Sequence, residues 1–202
     1  MRIAMLSRRV AAVELCVCLT AFAGNGAAAE KTAPGASAEL ARLVAEDQAD
    51  RKGGPATPNW SVLNKRDEKR QSRIKALVAS DALRTGTDFY HAAMILQHSP
   101  QLDDALLAHD LCVIAIGKGE ARARWLAAAT LDQYLVNTGR RQRFGTQYQS
   151  RSATQAPRLV EVDPAVPDSL RREMDVPVLA DAKEKEAEFA RMFSERQAVK
   201  PK

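Results

Sequence analysis

The sequence predicts an all-α fold, and three observations carry that prediction. Apolar residues recur at helical spacing through 88–98, 102–117 and 120–139. Only "SPQ" and "KG" separate these segments, and connections so short force antiparallel neighbours. Strand-like alternation is confined to one candidate, "RLVEV" at 158–162. The architecture expected is an antiparallel helical bundle with a helical-hairpin, repeat-like centre, a proline-rich extended segment and a C-terminal helix. No motif recurs, so a true solenoid is not indicated.

Residues 1–29 stand apart from this domain. Arg2, Arg8 and Arg9 give a basic start, 10–23 is an apolar run, and "GNGAAA" (24–29) ends in small residues. That is the three-part pattern of a secretory signal peptide, cut before Glu30, and it predicts an exported bacterial protein, periplasmic or secreted. A fourteen-residue run interrupted by Glu14 is too short to cross about 30 Å of hydrocarbon, so no stable membrane span is expected. Cleavage would remove Cys16 and Cys18 and leave Cys112 alone, without a disulfide framework. Inside "DLCVIAIG" that cysteine reads as a packed small hydrophobe. A formal net charge of +5 is too mild to demand nucleic acid, and export argues against that partner too.

Residues 30–38 read as a flexible start to a helical domain over 39–180. "SAELARLVAEDQADRK" (37–52) predicts an amphipathic helix, with Ser37 placed to cap it and Leu40, Leu43 and Val44 as its stripe. "GGPATPN" (53–59) breaks it. A heavily charged helix follows over 62–79, with Ile74, Leu77 and Val78 turned inward, and 80–87 connects it to the central three. Pro100 and the Gly117–Gly119 stretch are the expected breakers between those three. Beyond Ser152 the proline-rich 156–181 is extended or turning, with a short helix near 168–174. Residues 181–202 form a charged helix and tail, anchored by Phe189, Met192 and Phe193.

Helical wheels expose the polar residues that need explaining. The middle helix carries Leu102, Leu106, Val113 and Ile116 on one stripe around His109, and Leu107, Leu111 and Ile114 opposite. A helix apolar on two sides is expected to be buried between neighbours. In the third helix Asp132 falls amid Ala128, Ala129 and Leu135, and a buried carboxylate requires a partner. Counting levels outward from the turns at 1.5 Å per residue puts Asp132 within about one helical turn of His98. An Asp132–His98 contact is therefore expected if the first and third helices touch. His91 and His109 share a level, nine residues either side of the first turn.

The same levels place Gly139 beside "LQHSPQ", so Gln97 and His98 should meet the loop "GRRQRFGTQYQSR" (139–151) at one end of the bundle. Arg140, Arg141, Arg143 and Arg151 are there interleaved with Phe144 and Tyr148. Gln142, Thr146 and Gln147 would present amide and hydroxyl groups to a ligand. The unexciting alternative is a C-terminal cap in which Phe144 plugs the bundle.

"EDQADR" (46–51), "MILQHSP" (94–100), "LDQYL" (131–135) and "RQRFGTQ" (141–147), in this order, resemble a bacterial family of helical proteins described as a domain of unknown function. The resemblance runs over about residues 38 to 180. It marks Asp47, Gln48, Arg51, Gln97, His98, Asp132, Gln142, Gly145, Thr146 and Gln147, and it implies no reaction.

Two functions compete. The first is a binding or scaffold module whose polar pocket is formed by Gln97, His98, Arg141, Gln142, Thr146 and Gln147, taking a polar ligand or peptide. The alternative is a hydrolase-like enzyme using His98 and Asp132 for acid–base work, with or without a metal, and with Arg141 and Gln142 holding an anion or carbonyl. No nucleophile-elbow or serine–lysine signature accompanies it. Asp47, Gln48 and Arg51, with His91 and His109, are expected in supporting roles; Asp47 and Arg51 form an i,i+4 pair. His91 and His98 lie about 10.5 Å apart along a helix axis, wider than ligands of one ion usually sit. Neither a metal nor a cofactor is expected.

Overall fold

The computed structural model describes residues 34–52, 60–152 and 154–198, and these form seven α-helices and a two-stranded antiparallel ladder. The helices are α1 (Pro34–Arg51), α2 (Trp60–Ala79), α3 (Gly86–Leu96), α4 (Leu102–Gly117), α5 (Ala123–Asn137), α6 (Asp168–Glu173) and α7 (Leu179–Ala198). The strands, β1 (Tyr148–Gln149) and β2 (Arg158–Leu159), lie between α5 and α6. The protein is mainly α-helical, as expected. The expected signal peptide at 1–29, residues 30–33 and the break at 53–59 lie outside the described residues. The start of the domain differs from expectation: 34–38 is the first turn of α1. Pro34 explains the early start, because its fixed φ suits the first helical position.

Local chemistry sets the helix limits. Thr85 caps α3 in a reciprocal box: its Oγ1 accepts from the Asp88 N–H at 3.1 Å, and Asp88 Oδ2 accepts from the Thr85 N–H at 2.9 Å. Two ends close with a left-handed glycine. At α5 the Gly139 N–H donates to Val136 O and the Arg140 N–H to Leu135 O, and Gly119 ends α4 in the same way. Gly86 serves close approach instead. A Cβ there would stand 2.9 Å from Glu120 Cβ and 3.1 Å from Ala115 O, so α3 begins hard against the α4–α5 turn.

α4 lies between α3 and α5, which scarcely touch; α3 packs in turn on α1 and α2. The main core joins Leu40 and Leu43, Ile74 and Leu77, Ile95 and Leu96, Leu111 and Cys112, and Leu126 and Ala127. A second, smaller cluster gathers Ala128, Phe144, Val166 and Val176 on the other side of α5. Consecutive alanines therefore let α5 be covered from both sides.

The two buried stripes expected of α4 are not found. Ala105, Ala108, Leu111, Cys112 and Ala115 are buried, while Leu102, Leu106, Val113 and Ile114 remain 41%, 37%, 52% and 42% exposed. The reason is steric: alanines let the neighbouring backbones come close, so the small-residue side wins the contact and the bulkier side faces out. Burial pushes the Cys112 thiol up to about 12, which leaves it protonated and unreactive. Among the described residues no helix is long and apolar enough to cross a membrane.

Candidate functional site

Asp132 is fully buried, as its wheel position requires, but its partners differ from the expected one. Its Oδ1 accepts the backbone N–H groups of Arg143 at 2.7 Å and Phe144 at 3.0 Å. Its Oδ2 accepts from the Thr146 N–H at 3.1 Å and from the Thr146 hydroxyl at 2.8 Å. The carboxylate is the hub around which the loop 143–146 folds. Gly145, at φ +88°, supplies the left-handed turn that aims those N–H groups inward.

Gln142 locks the same loop from the other side. Its buried Nε2 donates to Gln147 O at 3.0 Å and Val160 O at 2.7 Å, and its Oε1 accepts from the Gln147 N–H at 2.8 Å. Gln147 in turn reaches Ala129 O at 3.1 Å. Arg171, also buried, donates to the carbonyls of Phe144, Val166 and Arg143 at 3.1, 2.7 and 3.2 Å. Phe144 is buried in the second cluster, in line with the plugging cap considered from sequence. Arg141 alone of the expected ligand contacts points outward, paired with Glu161 across an exposed 2.6 Å bridge.

The expected Asp132–His98 pair is corrected by this geometry. Asp132 faces the 143–146 loop, and α3 and α5 touch only lightly, so equal height along the bundle does not bring the two residues together. The carboxylate beside His98 is Asp47, with Oδ2 3.5 Å from Nε2. That nitrogen is buried and has no hydrogen-bond partner, although the side chain as a whole is 29% exposed.

Behind His98 runs an ion network of which only the Asp47–Arg51 pair was legible in the sequence. Arg51 bridges Asp47 at 2.6 Å and Asp67 at 2.8 Å. Arg70 bridges Asp67 at 2.6 Å and Asp50 at 2.8 Å, and Arg66 meets Asp50 at 2.6 Å. Asp47, Asp67, Arg70 and Gln71 are all buried. Charges alternate along this ladder, so α1 and α2 are clasped at one end by ion pairs and at the other by Leu40, Leu43, Ile74 and Leu77. Breaking such a buried pair is costly, because a lone charge remains.

The remaining candidates are dispersed. Gln97 offers its carbonyl to Gln133 Nε2 at 3.1 Å, which ties the corner to α5 beside Asp132. Gln48 donates to Asp47 at 3.0 Å. His109 Nδ1 donates to Ala127 O at 2.9 Å, a bond between helices. His91, against Tyr90, has a buried Nδ1 with no partner; burial and then the nearby Arg122 push its pKa down. Each histidine thus has its own surroundings, and among the described residues no three His, Cys, Asp or Glu side chains are grouped to hold a metal ion.

Sequence reasoning missed Asp67, Arg70, Gln133 and Arg171. The i,i+3 spacing of Asp67 and Arg70 on a helix facing "EDQADR" was a usable signal; Arg171 has the same spacing from Asp168, but nothing local pointed to the distant carbonyls it also holds. Compared with protein-family models, with curated proteins and with solved structures, the chain matches none.

Proposed function

We propose that this chain is a binding module for a polar ligand or peptide, with Gln97, His98 and Gln133 as its recognition corner and Asp47 and Arg51 behind. One observation carries the reading: a buried imidazole nitrogen without a hydrogen-bond partner, on a part-exposed side chain. An unsatisfied buried polar atom costs about 1–3 kcal/mol, and a ligand group reaching it would recover that. Asp132, Gln142 and Thr146, by contrast, spend their hydrogen bonds within the fold. They hold the corner rigid and are not ligand contacts in this reading. A leader of the kind seen at 1–29 would deliver such a module outside the cytoplasm.

The test is a thermal-shift screen with acetate, phosphate and N-acetylated dipeptide amides, on the wild type and on His98→Ala. Stabilisation that disappears in the variant while helicity is kept supports the proposal. Stabilisation undiminished in His98→Ala defeats it.

A second reading rests on the 3.5 Å approach of Asp47 to His98. A carboxylate there could orient the ring for acid–base work, the part first assigned to Asp132. It predicts hydrolysis of p-nitrophenyl acetate that falls in both His98→Ala and Asp47→Asn; turnover equal to the uncatalysed rate removes it.

A further inference from the structure

We infer a second site, independent of His98, that takes a phosphomonoester: the cavity between Arg151, the 155–158 stretch and the first half of α7. It encloses about 530 Å³ and is lined by Arg151, Gln155, Pro157, Arg158, Lys183 and Glu186, with alanine side chains. Two other arginines of the loop are paired: Arg141 meets Glu161 and Arg143 meets Asp163. Among the described residues Arg151, Arg158 and Lys183 form no ion pair. Three exposed, unpaired cations around one cavity make a local positive field that favours an anion.

Charge and shape narrow the ligand. Glu186 is the single carboxylate in the lining, so three positive charges against one negative leave two to be balanced. A phosphomonoester carries a charge of about −1.5 to −2 at neutral pH, whereas a carboxylate or sulfate ester carries one. Two guanidinium forks suit the oxygens of a phosphoryl group, and the Lys183 ammonium adds a point charge. The volume is that of a site for an organic molecule, in the range of about 300–1,000 Å³. Pro157 and the alanines supply an apolar wall for a carbon skeleton, and the Gln155 amide can donate to the ester oxygen.

The experiment is calorimetric titration of the full chain with phenyl phosphate, phenyl sulfate and inorganic phosphate at one fixed ionic strength. Phenyl phosphate should bind tightest, with phenyl sulfate about tenfold weaker, since it lacks the second charge. Arg158→Gln and Lys183→Gln should each weaken phenyl phosphate about tenfold, and Glu186→Gln should tighten it. All three side chains are exposed or half-buried at the surface, so the fold survives, as far-UV circular dichroism would verify. His98→Ala should leave this binding unchanged, which separates the site from the recognition corner. Equal affinity for phenyl phosphate and phenyl sulfate, indifference to Arg158→Gln and Lys183→Gln, or no heat with any probe would each overturn the assignment.

Discussion

Replacing Asp132 with asparagine tests whether its carboxylate is the anchor of the loop. The side chain is fully buried and accepts three backbone N–H groups and one hydroxyl. Asparagine keeps one oxygen, which can still serve Arg143 and Phe144. Its NH₂ then faces the Thr146 N–H, donor against donor, while the Thr146 hydroxyl can turn and accept. One orphaned backbone N–H costs about 1–3 kcal/mol, and exchanging charged for neutral bonds at the other two costs about 1 kcal/mol each. The sum is about 3–5 kcal/mol, or roughly 6–20 °C in Tm for a domain of this size. Urea denaturation should show the shift, and native-state hydrogen exchange should speed up at Arg143, Phe144 and Thr146. A loss under about 0.5 kcal/mol with those three amides still protected would refute the reasoning. Combined with His98→Ala, Asp132→Asn should be additive within about 0.5 kcal/mol, because the two residues share no partner.

The other expectations concern neighbouring groups. Asp47→Asn and His98→Ala should be non-additive in a double-mutant cycle, by about 0.5 kcal/mol or more, and additivity would detach the pair. Gln142→Ala, at a buried amide making three hydrogen bonds, should cost about 3 kcal/mol in urea denaturation, and a change within about 0.5 would contradict the lock. Gly86→Ala pushes a methyl to 2.9 Å from Glu120 Cβ, so its thermal midpoint should drop with about 1–3 kcal/mol lost; an unchanged midpoint would show that the turn can yield. His91 is held below its ordinary pKa by burial and Arg122, so the unfolded chain binds the extra proton first as pH falls. Its contribution is therefore lost from about pH 6.5 downward, through its lowered folded-state pKa. His91→Gln should flatten the drop in urea midpoint between pH 7.5 and 5.5, and a parallel drop in wild type and variant would count against this assignment.

What the sequence disclosed of the fold follows from local physics. The central helices were expected at 88–98, 102–117 and 120–139, and they occupy Gly86–Leu96, Leu102–Gly117 and Ala123–Asn137. Periodicity and the glycine stops are local properties, so they read well. The burial of Asp132 read equally well, being a matter of position on one helix. Its partner did not. Levels along parallel axes give height but not direction around the bundle, and Asp132 faces the 143–146 loop. The α4 stripes failed for a related reason: a wheel ranks faces by hydrophobicity, while packing chose the face of Ala105, Ala108 and Ala115. Asp47 and Arg51 read as an isolated i,i+4 pair because Asp67 and Arg70 lie on another helix. Nothing local distinguishes a charge that faces water from one that faces another charge.

The reach of Arg171 has a consequence for how the molecule is held together. Its guanidinium fastens carbonyls 27 and 28 residues earlier in the chain, at Phe144 and Arg143. α1 to α5 hold their own core cluster, to which residues beyond α5 add only Met174. Without the segment that carries the clamp, the loop around Asp132 is fastened from one side, and the apolar face of α5 at Ala128 lacks Val166 and Val176 to cover it. A chain broken off before α6 would keep its helices yet display that uncovered face and a loosened loop. The arginine therefore joins the end of the domain to the loop that follows α5.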